Sequence, residues 1–98
     1  MQLKWTDLAS EDLDHIEAYI TDENCVAVAV DVVLKVIDTA ELILLSHPSV
    51  GRLGRVKGTR ELVIDGVPFI LIYRFHQRLN QVQVLRVLHD SQQWPKTK

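Results

Sequence analysis

The side chains best suited to chemistry are arginines in the second half of the chain. Arg60, Arg74 and Arg86 lie in segments with the patterning of strands, and His89 and Trp94 follow the last of these segments. A guanidinium group binds a phosphate or a carboxylate through two parallel hydrogen bonds, and a sheet can present several such groups together. An aromatic ring beside them can stack on a base or pack on a partner. We therefore predict a target-binding surface on one sheet face, formed by Arg60, Arg74, Arg86, His89 and Trp94.

The distribution of charge supports this prediction. Residues 1–50 contain two lysines and ten acidic residues, a net charge of −8, whereas residues 51–98 contain nine Lys or Arg and three acidic residues, a net charge of +6. Such asymmetry is typical of a protein with one face for an anionic partner. Two alternatives stay open: the halves neutralise each other across the fold, or the arginines, with Arg78 among them, pair with Glu61 and Asp65 at a solvated sheet edge.

Other kinds of site have little support in the sequence. It lacks a glycine-rich phosphate motif, a CxxC pair, an HExxH motif and a nucleophile elbow. The four histidines are not spaced as metal ligands, and Cys25 lies beside valines, where a small apolar filler is expected. We predict no metal site and no cofactor.

The length and the cysteine content indicate the class of protein. A chain of 98 residues with 47% hydrophobic content fits one modest core, so we predict a single domain over residues 1–98. One cysteine fits a reducing cytosol, and we expect a cytoplasmic protein. The apolar stretch from Cys25 to Leu45 is interrupted by four charged residues, which favours a buried helix over a membrane span.

The first half of the chain predicts a strand followed by two helices. Residues 2–5 alternate as a strand does, and Thr6 or Ser10 can cap a helix whose apolar residues recur every three or four positions. Thr21 to Asn24 forms a polar break, and Asn24 is a candidate cap for a second helix from about Cys25 to Ser46. The valines of residues 26–33 make a strand a competing prediction there. Segment length and spacing favour the helix, which Pro48 ends.

Three strands are predicted in the second half, after a basic loop over residues 50–58. They cover residues 60–65, 69–75 and 81–88, with a two-residue turn at Asp65 and Gly66 and another turn over residues 77–80. Pro68 should stand at the start of its strand, where its missing N–H is tolerated. The order β-α-α-β-β-β predicts an α+β fold with an antiparallel sheet and a helical hairpin packed on one face.

The sequence resembles the RelE/ParE superfamily of toxins over nearly its whole length. The second half carries the resemblance in Gly58-Thr59-Arg60-Glu61-Leu62, in residues 68–74, in Val87-Leu88-His89-Asp90 and in Gln93-Trp94-Pro95. The first half carries it in Trp5, Ala9, Asp12-Leu13, Ile16, Tyr19-Ile20, Leu45, His47-Pro48 and Gly51. The resemblance implies the toxin of a type II toxin–antitoxin module, neutralised by a cognate antitoxin whose helix lies on the helical hairpin and whose extended segment follows the sheet.

Members of this superfamily divide by target, and the residues here are closer to the ParE-like group. RelE-like members cleave mRNA on the ribosome with a catalytic arginine on the central strand, which corresponds here to Phe69 or Ile70, and with strand lysines that correspond to positions near Glu61 and Val63. None of these residues supplies a cation where charge develops during phosphodiester cleavage. ParE-like members inhibit DNA gyrase by binding it, so the resemblance implies a gyrase inhibitor. One alternative is a ribosome-dependent endoribonuclease that uses Arg60, Arg74, Arg86 and His89. Another is a degenerate, non-toxic member that only sequesters an antitoxin.

Overall fold

A computed structural model describes residues 1–90 of the chain. It consists of strand β1, a hairpin of helices α1 and α2, and four further strands, β2 to β5. Their bounds are β1 Gln2–Trp5, α1 Asp7–Glu23, α2 Val26–Thr39 continued by a π-helical turn Ala40–Leu44, β2 Arg52–Leu53, β3 Arg60–Val63, β4 Phe69–His76 and β5 Gln81–His89. The predicted α+β architecture is confirmed, and a two-residue strand, β2, is added within the predicted basic loop.

The sheet has the strand order β1-β5-β4-β3-β2. Strands β2 to β5 are antiparallel neighbours, as predicted. The prediction of an antiparallel sheet needs one correction, because β1 runs parallel to β5, with Gln2 opposite Gln81 and Trp5 opposite Val84. A parallel pair requires a long crossover connection. The helical hairpin and the β2–β4 segment together provide it, and a reading of one strand at a time does not reveal that pairing.

Helix α1 begins at the first of the two predicted caps. The Thr6 hydroxyl oxygen accepts a hydrogen bond from the Ala9 N–H at 3.2 Å and donates one to the Leu85 carbonyl at 2.9 Å, which ties the helix start to β5. The helix then continues to Glu23, through most of the predicted polar break. Asn24 ends α1 and does not cap α2, whose N-cap is Cys25 without a side-chain hydrogen bond. The prediction for Asn24 was wrong because its N–H completes the last turn of α1, at 2.8 Å from the Ile20 carbonyl.

The valine-rich segment is helical, so the competing strand prediction for residues 26–33 is wrong. Packing explains the helix, because one stripe of α2 and of the turn after it, formed by Ala29, Val36, Ala40 and Leu44, is wholly buried. A residue at every third or fourth position on one face matches a helix and not a strand. The helical conformation ends at Leu44, slightly before the predicted Ser46.

The core lies between the helical hairpin and one face of the sheet. Three alanines, Ala9, Ala29 and Ala40, are fully buried, and their small side chains let the helices approach the core closely. Tyr73 is the largest fully buried side chain. Burial of each Val, Leu or Ile side chain contributes about 1.5–3 kcal/mol, which stabilises helices whose intrinsic propensity is low.

The turn after β3 is longer than predicted. The Ile64 N–H donates to the Phe69 carbonyl at 3.1 Å, so residues 65–68 form a four-residue loop in which Gly66 has φ +83°. A two-residue turn at Asp65 and Gly66 would have placed Pro68 opposite Val63, inside the ladder. Proline has no N–H for such a position. Pro68 instead stands just before β4, as predicted, and the Asp90 N–H donates a hydrogen bond to its carbonyl at 2.9 Å.

Within residues 1–90, no helix has both the length and the apolar character needed to cross a bilayer.

Candidate functional site

The register of the sheet separates the predicted arginines. Arg60 stands opposite Tyr73, whose side chain is buried beneath the helices, whereas Arg74 is the next residue along β4 and therefore points to the open face. Successive side chains in a strand alternate between faces. The prediction of one basic sheet face therefore needs correction: Arg60 lies on the helix side, Arg74 lies on the open side, and Arg86 is drawn to α1. Their predicted part in target binding stays a prediction.

Arg86 forms the best-defined ion pair among residues 1–90. Its Nε lies 2.8 Å from Asp12 Oδ2 and its Nη2 lies 3.0 Å from Oδ1, which is a two-point contact. This hydrogen bond with Asp12 raises the pKa of Arg86 above its ordinary value, while burial opposes the rise. The guanidinium therefore holds α1 against the sheet.

Asp12 also replaces β1 as the neighbour of β5. Strand β1 stops at Trp5, and the sheet has an irregularity between Ile72 and Tyr73 that leaves Leu85 out of register. Beyond this point, Asp12 Oδ2 accepts a hydrogen bond from the Val87 N–H at 2.9 Å. A single carboxylate thus serves a backbone group at the strand edge and a guanidinium. The sequence offers only a weak signal for this role, because an acidic residue early in a helix is already explained by the helix dipole.

Arg60 is fixed by backbone carbonyls. Its Nη1 donates to Gly51 O at 2.8 Å and to Ser49 O at 3.3 Å, and it forms no ion pair within residues 1–90. Both carbonyls belong to the segment between the helices and β2. The guanidinium therefore keeps its charge uncompensated by a carboxylate while its position is set.

Tyr73 also binds the segment between the helices and β2, through its hydroxyl group. Its hydroxyl donates to Pro48 O at 2.8 Å and accepts from the Gly51 N–H at 2.9 Å. Burial raises the pKa of Tyr73 above 10.0, and the Gly51 hydrogen bond and the Arg60 charge offset part of the rise. A Cβ at Gly51 would lie 2.7 Å from this hydroxyl, so the close approach requires glycine here.

A groove of about 460 Å³ opens beside Arg60, where β3 begins and β4 ends. We name it the turn-end groove, because the β4–β5 turn over residues 77–80 forms one of its walls. Cationic or potentially cationic side chains line it, together with Phe75, and no carboxylate does. Its lining residues are Ser49, Leu53, Gly58, Thr59, Arg60, Phe75, His76, Gln77 and Arg78.

The open face near the same turn is also basic. Lys4 and Arg74 stand on either side of Gln83, with which both are in register, and both are exposed. Gln81 lies next along β5 on this face and accepts a hydrogen bond from Gln83 at 3.2 Å. Neither cation forms an ion pair among the described residues. Arg74 is thus the predicted site residue most available to a large partner.

The opposite end of the sheet has cations of a different kind. A depression of about 50 Å³, called the far-end depression, contains Arg52 3.0 Å from Glu61, and His89 Nδ1 3.1 Å from Asp90. The His89 ring also meets Phe69 edge to face, with centroids 5.7 Å apart. The remaining lining residues are Arg55, Ile70, Ile72 and Leu88. Arg52 is therefore paired with a carboxylate, and His89 also lies within 3.1 Å of one.

The predicted site residues are thus dispersed over the fold. Arg60 lies in the turn-end groove, Arg74 on the open face, Arg86 against α1 and His89 in the far-end depression, while Trp94 lies outside the described residues. Within residues 1–90, no group of three His, Cys, Asp or Glu side chains could hold a metal ion.

The sequence analysis did not identify Lys4 and His76 as candidate site residues. A usable signal was the absence of acidic residues from 42–60 and 66–89, since both walls of the turn-end groove come from these segments.

Comparisons with known proteins agree on a family. Residues 3–94 match the family model described as the ParE toxin of the type II toxin–antitoxin system parDE. The chain is 42% identical over 94 residues to "Putative toxin Y4kP" of Sinorhizobium fredii (strain NBRC 101917 / NGR234), covering 96% of this chain and 93% of that protein.

Solved structures show the same fold. A structure of the chromosomal ParDE toxin–antitoxin system from P. aeruginosa has a TM-score of 0.81 and 28% identity, covering 91% of this chain and 95% of that chain. The RelBE2 toxin–antitoxin complex of Mycobacterium tuberculosis has a TM-score of 0.67 and 25% identity, covering 90% and 95%. The isolated E. coli RelE toxin, with a TM-score of 0.62 and 10% identity over 95% and 87%, shares the fold.

Proposed function

The chain belongs to the ParE toxin family of type II toxin–antitoxin systems, and from that premise we propose that it inhibits DNA gyrase by binding it and is neutralised by a cognate antitoxin. The observation that carries the choice of target is the side-chain content of the far-end depression and of the strands around it. Phe69, Ile70 and Val63 supply no charge there. Glu61 is buried and takes up the charge of Arg52.

Phosphodiester cleavage needs groups that stabilise negative charge as it develops and a group that moves a proton. In the far-end depression, Arg52 pairs with Glu61 at 3.0 Å, so its positive charge is partly compensated, and His89 Nδ1 lies 3.1 Å from Asp90. Arg86 is engaged with Asp12. These contacts support a protein that acts by binding over one that cleaves RNA.

Arg74 is the residue we propose for contact with the target. It is exposed, forms no ion pair within the described residues and stands in register with Gln83 beside Lys4. A charged side chain on a flat face steers association and contributes specificity. Arg60, Arg86, His89 and Trp94 remain predicted target-binding residues, and the first three lie elsewhere on the fold.

Exposed apolar residues on α2 support the antitoxin as a partner. Val26, Val30 and Leu34 are 61%, 40% and 50% exposed, and a spacing of four places them on one stripe. Apolar stripes of this kind accept an amphipathic helix in a partner. We propose that the antitoxin covers this stripe, which accounts for the large apolar side chains on the outer side of the hairpin.

The test is a supercoiling assay with purified gyrase, relaxed plasmid and the full-length toxin. We expect inhibition of supercoiling, accompanied by linear DNA after protein denaturation if cleavage complexes are trapped. The Arg74→Glu variant should require at least about tenfold more protein, corresponding to ~1.4 kcal/mol of binding free energy. Lys35→Gln, which removes an exposed cation from α2, is the control and should behave as the unaltered toxin. Full supercoiling activity at a large molar excess of toxin, without linear DNA, would refute gyrase as the target.

The alternative is a ribosome-dependent mRNA endoribonuclease. The likeness to the RelBE2 complex and the position of His89 in a depression favour it. Toe-printing on translated mRNA would then show cuts in the ribosomal A site that His89→Ala abolishes. Arg86→Ala is less informative, because loss of the Asp12 contact also lowers stability.

A further inference from the structure

The turn-end groove gathers positive charge from two segments of the chain that contain no acidic residue. Residues 42–60 provide Arg60 and residues 66–89 provide Arg78, while His76 also lines the groove. The groove and the far-end depression share no lining residue, although they meet at neighbouring positions: Arg60 lines the groove and Glu61 lines the depression.

The Arg60 side chain is already oriented by hydrogen bonds, which favours binding of an anion. Its Nη1 is committed to the carbonyls of Gly51 and Ser49, whereas Nε and Nη2 make no hydrogen bond within residues 1–90. A guanidinium presents its donors as a rigid fork, so fixing one nitrogen also orients the others. Little side-chain entropy then remains to be lost when an oxyanion binds.

His76, the last residue of β4, also lines the groove. The Leu79 N–H donates to His76 Nδ1 at 3.3 Å, so Nδ1 is the acceptor in the neutral ring and Nε2 carries the hydrogen. Arg78, in the turn itself, is exposed and forms no ion pair in the described part of the chain. Two arginines and a histidine thus line the groove.

We propose that the turn-end groove binds a phosphate-bearing nucleotide unit, with the phosphate between Arg60 and Arg78 and the nucleoside against Phe75. Guanidinium forks match phosphate oxygens, and Phe75 supplies an aromatic wall of the kind on which bases pack. The volume of about 460 Å³ lies in the usual range for small-ligand sites. The proposal goes beyond inhibition of gyrase and does not depend on it, since it concerns binding by the toxin alone.

Two sources offer this chemistry: a free nucleotide, or a nucleotide exposed in a single strand of nucleic acid. The test titrates the purified full-length chain with inorganic phosphate, adenosine monophosphate, a six-nucleotide single strand and a glutamate-rich peptide. Backbone amide shifts in an NMR spectrum report where each probe binds. We expect saturable shifts at residues 58–60 and 75–78 with the monophosphate or the single strand, and weaker binding of inorganic phosphate because it lacks the nucleoside.

The variants separate a formed site from general attraction between charges. Arg78→Gln should weaken nucleotide binding by about tenfold, in the range of one hydrogen bond to a charged group. Arg55→Gln is the matched control, because Arg55 is an exposed arginine that lines the far-end depression, and its effect should stay below about twofold. Binding of the six-nucleotide single strand without binding of adenosine monophosphate would identify single-stranded nucleic acid as the source of the ligand. Binding of the monophosphate alone would identify a free nucleotide. Either result supports the proposal.

Three outcomes would overturn the proposal. The first is no saturable binding of either nucleotide probe, and the second is an equal loss in Arg78→Gln and Arg55→Gln. The third is tighter binding of the glutamate-rich peptide, which would make the groove a peptide site. A thermal melt of each variant verifies that the protein compared is folded.

Discussion

The two ends of the sheet use the same residue types in different ways. In the far-end depression and along β5, Arg52 and Arg86 each pair with a carboxylate, at 3.0 and 2.8 Å, and His89 lies 3.1 Å from Asp90. At the turn end, Arg60 is held by two backbone carbonyls and Arg78 forms no ion pair among the described residues. A guanidinium paired with a carboxylate has its charge partly compensated, whereas one without such a partner keeps its full charge for a ligand.

The contrast also explains why overall charge describes this protein poorly. The net charge of −2 includes a strongly acidic first half of the chain. One carboxylate of that half, Asp12, forms an ion pair with Arg86. The alternative in which the two halves neutralise each other is therefore right for this pair. It does not hold for the turn-end groove, whose lining contains no carboxylate. Local balance, rather than the total, separates structural cations from available ones.

The largest expected effect concerns the structural end. Asp12→Ala should lower the free energy of unfolding by about 2–4 kcal/mol, because it leaves Arg86 and the Val87 N–H without their partner. The pair is mostly withdrawn from solvent, with side chains 11% and 24% exposed, so screening by water reduces the effect only in part. Urea denaturation followed by circular dichroism measures the change.

Asp14→Ala provides the matched control for that measurement. Asp14 lies on the same helix, is exposed and forms no ion pair within residues 1–90, so its loss should change stability by less than about 0.5 kcal/mol. A double-mutant cycle with Arg86→Met then isolates the pair energy. Equal effects of Asp12→Ala and Asp14→Ala would show that the Asp12 contact is not structural.

Local patterns in the sequence predicted most of the fold but not the contacts that join distant segments. The helical spacing over Ala29, Val36, Ala40 and Leu44 identified α2 despite its valines. The parallel pairing of β1 with β5 and the Asp12–Arg86 contact both join residues more than 70 positions apart, and a single sequence carries no signal for either. The prediction of a two-residue turn at Asp65 and Gly66 was wrong for a local reason, because Pro68 excludes the shorter turn.

The candidate site was predicted less well, for a related reason. Residue types identified the arginines, but strand alternation places Arg60 and Arg74 on opposite faces once β3 and β4 are in register. Arg60 also requires the carbonyls of Ser49 and Gly51, which come from a loop whose path the sequence does not determine. A surface formed by several strands depends on register, which patterning constrains only where one face is buried.

An intermediate effect is expected at Tyr73, which supports the turn-end groove by neutral hydrogen bonds. Tyr73→Phe removes the bonds to Pro48 O and the Gly51 N–H and should cost about 1–2 kcal/mol at neutral pH. Burial raises the pKa of Tyr73 in the folded state, so its contribution is fully present below pH 10.0 and is lost as the pH rises through the higher folded value. The stability difference between the unaltered protein and Tyr73→Phe should therefore shrink above pH 10.

Urea denaturation at pH 7, 9, 10.5 and 11.5 tests this dependence, with the variant as the reference for all other groups that titrate in the alkaline range. A difference that stays constant to pH 11.5 would contradict the assigned role of burial. Because the bonds are neutral, raising the salt concentration at pH 7 should leave the difference unchanged.

The smallest effect on stability is expected at Arg78, and it decides whether the turn end differs from the far end. The side chain is exposed and forms no hydrogen bond or ion pair in the described part of the chain, so Arg78→Gln should change the free energy of unfolding by less than about 0.5 kcal/mol. Arg86→Gln is the comparison, since the same substitution there removes a two-point contact with Asp12. A loss above about 1 kcal/mol in Arg78→Gln would mean that this arginine also stabilises the fold. The contrast between the two ends would then fail, because Arg78 would have a structural role as Arg86 does.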